Sequence, residues 1–221
     1  MRSFKARSLG TLVALVSLST PSYAGQQAAE NVRDFSVRLA ANGVPAGVVV
    51  RESELVATGN SPAADPKGKT AFLADLPQLI SEFNASNRSV RAVSTSSVIH
   101  VESTRLPDAA KQLLSREVFI DRGLRVPAGD AIFKTLMGLV RGSAVTAIAG
   151  TGLMPGPSCR LQDVVHLPRG TYTVSGYLDR VVTQLPGLVW LVTFEAEQPS
   201  SALKVGVVCP GGESLRMRID Q

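Results

Sequence analysis

The sequence predicts an α+β fold made of two small tandem units, each with two helices packed on short β-sheets. Amphipathic helix patterns and β-branched runs occur in the same chain, and their order occurs twice. The 221 residues are 44% hydrophobic and 19% charged, a composition typical of a folded protein. We expect unit 1 to span residues 25–103 and unit 2 residues 118–221, joined by a connecting segment at 104–117.

The first 24 residues have the organisation of an export signal peptide. A positively charged start precedes ten apolar residues, Leu9 to Leu18, and Ser22 and Ala24 supply the small residues that signal peptidase requires. A spanning helix needs about 20 apolar residues. We therefore expect cleavage after Ala24 and export to the periplasm or cell envelope; the alternative is an uncleaved anchor or a buried helix. A charge or a proline interrupts each longer apolar run, so no later membrane span is predicted.

The net charge gives little support to nucleic-acid binding. Removal of the leader takes away Arg2, Lys5 and Arg7, so the basic count falls from 23 to 20 against 18 acidic residues, and the net charge falls from +5 to +2. Nucleic-acid-binding domains are usually strongly basic on one face. We therefore expect no nucleic-acid partner.

Cys159 and Cys209 are the only two cysteines. An oxidising compartment favours a disulfide between them, and closing a loop of about 50 residues stabilises a fold by roughly 4 kcal/mol in the chain-entropy model. The alternative is a reactive thiol paired with His166, but no Cys-x-x-Cys or nucleophile motif surrounds either cysteine. We expect a structural disulfide.

Unit 1 is predicted to begin with a helix and a buried strand. Val32, Phe35 and Leu39 recur at helical spacing. Asn42-Gly43 should end this helix, because glycine accepts the left-handed cap conformation. The apolar run Val44 to Val50 then predicts a strand.

A second amphipathic helix is predicted in each unit from apolar residues at i, i+3, i+4 and i+7. These residues are Leu76, Leu79, Ile80 and Phe83 in unit 1 and Leu178, Val181, Val182 and Leu185 in unit 2. The offset is 102 residues at all four positions, and it also aligns Gly68 with Gly170. Thr173 or Ser175 is expected to cap the later helix. Duplication of one unit explains this repetition better than chance does.

The remaining elements complete the same order in both units. A hairpin is predicted after the first repeated helix and a longer-looped strand pair after the second. A short connecting helix is predicted between the units, and a helix and a strand open unit 2. The segments are Val90 to Val93, Val98 to Val101, Asp108 to Ser115, Phe133 to Val140, Ala144 to Ala149, Leu188 to Phe194 and Leu203 to Val208.

Two segments of unit 2 resemble the secretin and TonB short N-terminal domain. Leu124 to Leu136 resembles the opening strand and helix of that domain, and Gly170 to Thr173 with Leu178 and Pro186-Gly187-Leu188 resembles its second half. Unit 1, from Glu30 to Ser103, is similar in pattern. The resemblance implies small α+β units that contact other proteins on the periplasmic side of bacterial outer-membrane systems and that are not catalytic.

Trp190, Arg216 and Arg218 are the candidate binding residues. Trp190 is the sole tryptophan, and its apolar neighbours favour a core position over the alternative of a sugar-stacking platform. Leu215 to Ile219 alternate strictly, which predicts a protected edge strand. The alternative, which is a functional one, is that Arg216 and Arg218 bind an acidic partner or a polysaccharide.

No motif predicts catalysis, a metal site or a cofactor. The two histidines, His100 and His166, lie in runs typical of strands, and neither has the neighbouring ligands of a structural zinc site. Gly-x-Ser-x-Gly and His-Glu-x-x-His are absent. An enzyme centred on either histidine would need a carboxylate and a hydroxyl beside the ring.

The sequence therefore predicts a non-enzymatic exported protein that binds another protein of the cell envelope, for instance by adding a strand to an exposed sheet edge. The alternative is a small-ligand or glycan-binding protein that uses the cleft between the two units and exposes Trp190. An enzyme is the third hypothesis, and the sequence predicts no oligomeric state.

Overall fold

One six-stranded mixed sheet, with strands from both halves of the chain, organises the fold. The structure is a computed structural model that describes residues 30–55, 68–95, 97–135, 159–195, 203–211 and 214–219. The predicted signal peptide lies outside the described residues, as do most of the helix from Phe133 to Val140 and the strand from Ala144 to Ala149. Helices combined with mixed strands confirm the predicted α+β class.

The first half of the chain follows the sequence pattern closely. Helix α1, Val32–Ala41, is capped by Asn31, whose Oδ1 accepts a 2.8 Å hydrogen bond from the Asp34 N–H. Gly43 follows the helix with φ +69°, as a left-handed cap requires. The other elements are strand β1 (Ala46–Arg51), a 3-10 turn (Glu52–Leu55), helix α2 (Lys69–Ser86) and strands β2 (Val90–Ser94) and β3 (Ile99–Ser103).

The second half contains two short helices, a π-helical turn and seven strands among the described residues. They are α3 (Asp108–Ser115), β4 (Glu117–Ile120), β5 (Leu124–Pro127), the π-helical turn (Asp130–Thr135), β6 (Val164–Leu167), β7 (Gly170–Thr173), α4 (Val174–Thr183), β8 (Val189–Phe194), β9 (Leu203–Val208) and β10 (Ser214–Ile219). Thr173 is the cap of α4 and accepts a 3.1 Å hydrogen bond from the Gly176 N–H. The helix ends two residues before Leu185, which is buried in the turn that follows.

The strand order in the large sheet is β10-β9-β8-β1-β3-β2. Strand β1 is parallel to both of its neighbours, β3 and β8, and all other pairs are antiparallel. Because β1 pairs with β8 along Ala46 to Arg51, hydrogen bonding crosses the predicted boundary between the units. The division into two units stays a prediction. Strands β4 and β7, and β5 and β6, form two separate ribbons.

An apolar core lies on each face of the large sheet. On one face, α1 and α2 enclose a core in which the rings of Phe35 and Phe83 stack with centroids 4.3 Å apart. On the other face, α4 contacts the sheet, while α3 and the two ribbons contact α4. The buried Tyr177 of α4 donates a 2.9 Å hydrogen bond to the Ala131 carbonyl. The result is a three-layer arrangement in which the sheet is the middle layer.

Cys159 and Cys209 form the predicted disulfide. Their Cα atoms are 4.9 Å apart, and both residues are buried in the core on the α4 side. Cys209 directly follows β9, so the bond fastens the segment before β6 to the end of a sheet strand. The reactive-thiol alternative is wrong, because neither cysteine is free.

Candidate functional site

A row of residues across three parallel strands brings together His100 and Trp190. Gly47 on β1 is in register with His100 on β3 and with Trp190 on β8. A Cβ atom at position 47 would lie 2.1 Å from Cζ2 of Trp190, so only glycine leaves room for the indole ring. The indole and imidazole rings meet edge to face, with centroids 5.9 Å apart.

Asp179 on α4 connects the two rings. Trp190 Nε1 donates a 2.8 Å hydrogen bond to Asp179 Oδ1, and His100 Nε2 lies 3.2 Å from Oδ2 of the same carboxylate. Trp190 is fully buried, whereas the side chains of His100 and Asp179 are 15% and 24% exposed. We call His100, Asp179 and Trp190 the histidine cluster; it joins a strand of the first half to a helix and a strand of the second.

The electrostatics of the histidine cluster favour the charged imidazole. The hydrogen bond to Asp179 raises the pKa of His100 above its ordinary value of 6.5, although burial opposes this rise. The Glu102 carboxylate, 3.8 Å from Nδ1, adds a weaker attraction in the same direction. His100 therefore keeps its proton to a higher pH than a free histidine does.

An Asp–His pair can act as a catalytic base when a hydroxyl or thiol lies at the second ring nitrogen. In the part of the chain that the structure describes, Glu102 faces this nitrogen of His100, and no hydroxyl or thiol hydrogen-bonds to it. Throughout the described part of the chain, no group of three or more His, Cys, Asp or Glu side chains could hold a metal ion. The histidine cluster therefore forms a polar contact between β3, α4 and β8 whose strength depends on the protonation of His100.

The other candidate residues lie elsewhere. His166 is exposed on β6, and the Gln184 side chain binds its backbone N–H and C=O at 2.8 and 3.0 Å. Trp190 is buried, so its ring is not available as a sugar-stacking platform. Arg216 and Arg218 lie on the predicted edge strand, β10, in register with Gly206 and Lys204 of β9; their side chains are outside the description.

The opposite edge of the sheet, β2, is partly closed by a side chain of α2. Asn84 Nδ2 donates a 2.8 Å hydrogen bond to the Ala92 carbonyl, and Asn84 Oδ1 accepts one of 2.7 Å from the Ala92 N–H. An added strand would need these groups, which lie in the middle of β2. Strand addition at β2 would therefore have to displace the Asn84 amide.

Helix α2 leaves part of its apolar side uncovered. It enters the core through Phe72 and Phe83 and packs mainly against β2. Leu73 is 45% exposed, and Leu76 and Ile80, at i+3 and i+7 from it, are only half-buried. We call Leu73, Leu76 and Ile80 the α2 surface.

A cleft of about 240 Å³ lies at the carboxyl ends of β1 and β3. We call it the arginine cleft, because three of the residues that line it are arginines. The described residues that line it are Arg51, Glu54, Arg88, Ser89, Ser103, Thr104 and Arg105. All of these residues belong to predicted unit 1 or to the start of the connecting segment, so this cleft is not one between the two units.

Sequence reasoning missed Gly47, Asp179 and the three arginines of the cleft. Glycine inside a predicted strand is a recognised sign that another group approaches the backbone closely, so Gly47 could have been found. Asp179 has no such sign, because it occupies one of the polar positions of an amphipathic helix. The arginines come from separate segments and meet only through the pairing of β1, β2 and β3.

Comparison with protein-family models, curated proteins and solved structures returns no match for this chain. Among the residues that the structure describes, no helix combines the length and the apolar character needed to cross a membrane. A function must therefore rest on the geometry and chemistry of the molecule itself.

Proposed function

We propose that this protein is an exported, non-enzymatic binding protein that contacts a protein partner of the cell envelope through the α2 surface. The observation that carries the proposal is the incomplete burial of α2. Leu73 is 45% exposed on an 18-residue helix whose other large apolar residues lie at or in the core.

The surroundings of the α2 surface suit a protein contact. The apolar residues are flanked on the same helix by exposed polar ones, including Asp75, Gln78 and Glu82. An apolar centre with a polar rim is the usual organisation of a binding surface between proteins. The α2 surface also avoids the difficulty at β2, where Asn84 occupies the backbone groups of Ala92.

The disulfide supports export. Disulfides form and persist in oxidising compartments and are rare in the cytosol of most organisms. The resemblance to the secretin and TonB short N-terminal domain suggests the class of partner, a component of a bacterial envelope system. Expression of the full sequence in a bacterial host, followed by N-terminal analysis of the periplasmic fraction, tests export: the mature chain should begin at Gly25.

Cross-linking with a matched pair of variants tests the binding surface. The tagged chain is cross-linked in envelope preparations, and captured proteins are compared between wild type, Leu73→Asp and Val164→Asp. Val164 is 53% exposed on β6, so its variant introduces the same charge at a similarly exposed apolar position away from α2. We expect a reproducible partner with wild type and Val164→Asp that Leu73→Asp loses. Capture by Leu73→Asp at the wild-type level, or no partner with wild type, would contradict the proposal.

A further inference from the structure

We infer that the arginine cleft binds a phosphate group, either as free phosphate or as the phosphate of a small monoester. The site is separate from the α2 surface, and its ligand does not depend on the proposed protein partner.

The position of the cleft favours a ligand. Arg51 is the last residue of β1, Ser103 is the last residue of β3, and these two strands are parallel neighbours. Their carboxyl ends therefore open to the same side of the sheet, where open sheets of parallel strands commonly bind ligands. Arg88, just before β2, and Arg105, just after β3, add two further guanidinium groups from the antiparallel hairpin.

The charge balance of the cleft favours an anion. Among the described residues that line the cleft, three are arginines and one, Glu54, is acidic, and none of the three arginines forms an ion pair with an acidic side chain. Glu52, which follows Arg51 directly in the sequence, binds Lys204 Nζ at 2.8 Å instead. Guanidinium groups present forked donors that match two oxygens of a phosphate, which a single-point cation does not.

One donor of the cleft is left without a partner. Nε of Arg51 is buried and has no hydrogen-bond acceptor among the described residues. An unsatisfied buried donor on a charged group is costly, and a turn of the Arg51 side chain toward a phosphate in the cleft would give Nε the acceptor that it lacks. This places Arg51 at the base of the site and the exposed Arg88 and Arg105 at its rim.

The backbone around the cleft is held before any ligand arrives. The Thr104 N–H donates to the Ser89 carbonyl at 2.8 Å, which joins the segments that carry Arg105 and Arg88. Glu54 Oε2 accepts a 2.9 Å hydrogen bond from the Arg51 N–H and so fixes the end of β1. A site whose donors are already positioned loses less entropy when it binds.

Calorimetric titration of the mature, disulfide-bonded chain tests the inference. The probes are inorganic phosphate and glycerol 3-phosphate, with sodium chloride at matched ionic strength as the blank. We expect saturable one-to-one binding of phosphate, equal or tighter binding of the ester, and no heat from chloride. A preference for the ester identifies a monoester as the ligand, and equal affinities identify the free anion as sufficient.

Substitutions of opposite expected effect separate a built site from general attraction. Arg88→Gln with Arg105→Gln should weaken phosphate binding by about tenfold or more, because two charge-assisted contacts are lost. Arg122→Gln, an exposed arginine outside the cleft, should leave the affinity unchanged. Glu54→Gln should strengthen binding several-fold, since it removes the negative charge of Glu54 and keeps an acceptor for the Arg51 N–H. A gain of this kind cannot result from misfolding.

Three results would overturn the inference: no saturable phosphate binding by wild type, equal weakening by Arg122→Gln and the cleft variants, or binding of phosphatidylglycerol vesicles without binding of either small phosphate. Phosphatidylcholine vesicles serve as the control for the last of these.

Discussion

Helices α2 and α4 carry the same spacing of apolar residues, yet the structure buries them to different extents. In α4 and the turn after it, Leu178, Val181, Val182 and Leu185 are all between 0% and 3% exposed. In α2, only Phe83 of the four matching residues is fully buried, and Leu76, Leu79 and Ile80 are half-buried. An identical pattern along the chain has produced a core helix in one place and a surface helix in the other.

The difference comes from what lies on the far side of each helix. Helix α4 contacts β1 and β8 of the sheet and is covered in turn by α3 and by strands of both ribbons. Helix α2 packs mainly against the edge strand β2, and no ribbon of the described residues packs on it. Apolar periodicity therefore identifies the side of a helix that faces a core, while the number of layers decides how complete its burial is.

The disulfide offers the largest test of this contrast, because both cysteines lie on the α4 side. Replacing Cys159 and Cys209 by serine should lower the free energy of unfolding by about 4 kcal/mol, the value expected for a closed loop of roughly 50 residues. Urea unfolding measures the loss, and the double variant should not respond to reductant. Hydrogen exchange should accelerate more in α4 than in α1; equal acceleration would mean that the two faces are not energetically distinct.

Truncation of one leucine in each helix measures the contrast directly. Leu178→Ala should lower the free energy of unfolding by about 3 kcal/mol, because a fully buried leucine leaves a cavity. Leu76→Ala removes the same atoms from a half-buried position and should cost about 1 kcal/mol. Chemical denaturation of both variants gives the comparison, and equal losses would contradict it.

The sequence pattern was sufficient for many of the individual elements, although it did not predict strands β4 and β7. Several predicted features appear where the pattern placed them: the end of α1, the hairpin of β2 and β3, the helix Asp108–Ser115 and the strand Leu203–Val208. In each case the signal is local: a cap, a period of two or a period of 3.6 residues.

The arrangement of the elements was not predictable in the same way. The 102-residue offset aligns Gly68 with Gly170, but Gly68 precedes α2 directly and Gly170 begins strand β7. The two hairpins also meet β1 differently, since β3 is the second strand of its hairpin and β8 the first of its own. Strand pairing depends on contacts between distant segments, which a repeat in one dimension does not specify.

Gly47 tests how tightly the α4 side of the sheet is packed. Gly47→Ala should lower the free energy of unfolding by about 2 kcal/mol, because its Cβ would overlap the Trp190 ring. Gly123→Ala is the control: its Cβ would have no neighbour closer than 3.6 Å, so the change should be small. Thermal unfolding of both variants provides the measurement. Adding Trp190→Phe to Gly47→Ala should cost less than the two single changes together, and strict additivity would show that the ring is not the obstacle.

The smallest expected effect is a pH dependence that links α4 to β3. Because the pKa of His100 is raised in the folded state, its contribution to stability is complete below the unfolded value of about 6.5 and is lost as pH rises through the folded value. The free energy of unfolding should therefore decline with rising pH in this range, by less than the loss expected for Leu178→Ala. Asp179→Asn should flatten the decline while keeping an acceptor for Trp190 Nε1.

Among the described residues, Glu30 also titrates in the same direction, so its effect must be separated from that of His100. Burial raises the pKa of Glu30 from 4.5 to about 7, although the neighbouring Arg38 lowers it. When the pKa of a carboxyl group is higher in the folded state, the free energy of unfolding falls as pH rises from the unfolded pKa to the folded pKa. The sign is therefore the same as for His100. Glu30→Gln should flatten the curve between pH 4.5 and about 7, and Asp179→Asn only the part above about 6.5. If Asp179→Asn leaves the decline above this pH unchanged, the His100–Asp179 contact does not contribute to stability. Apolar packing alone would then hold α4 against the first half of the chain.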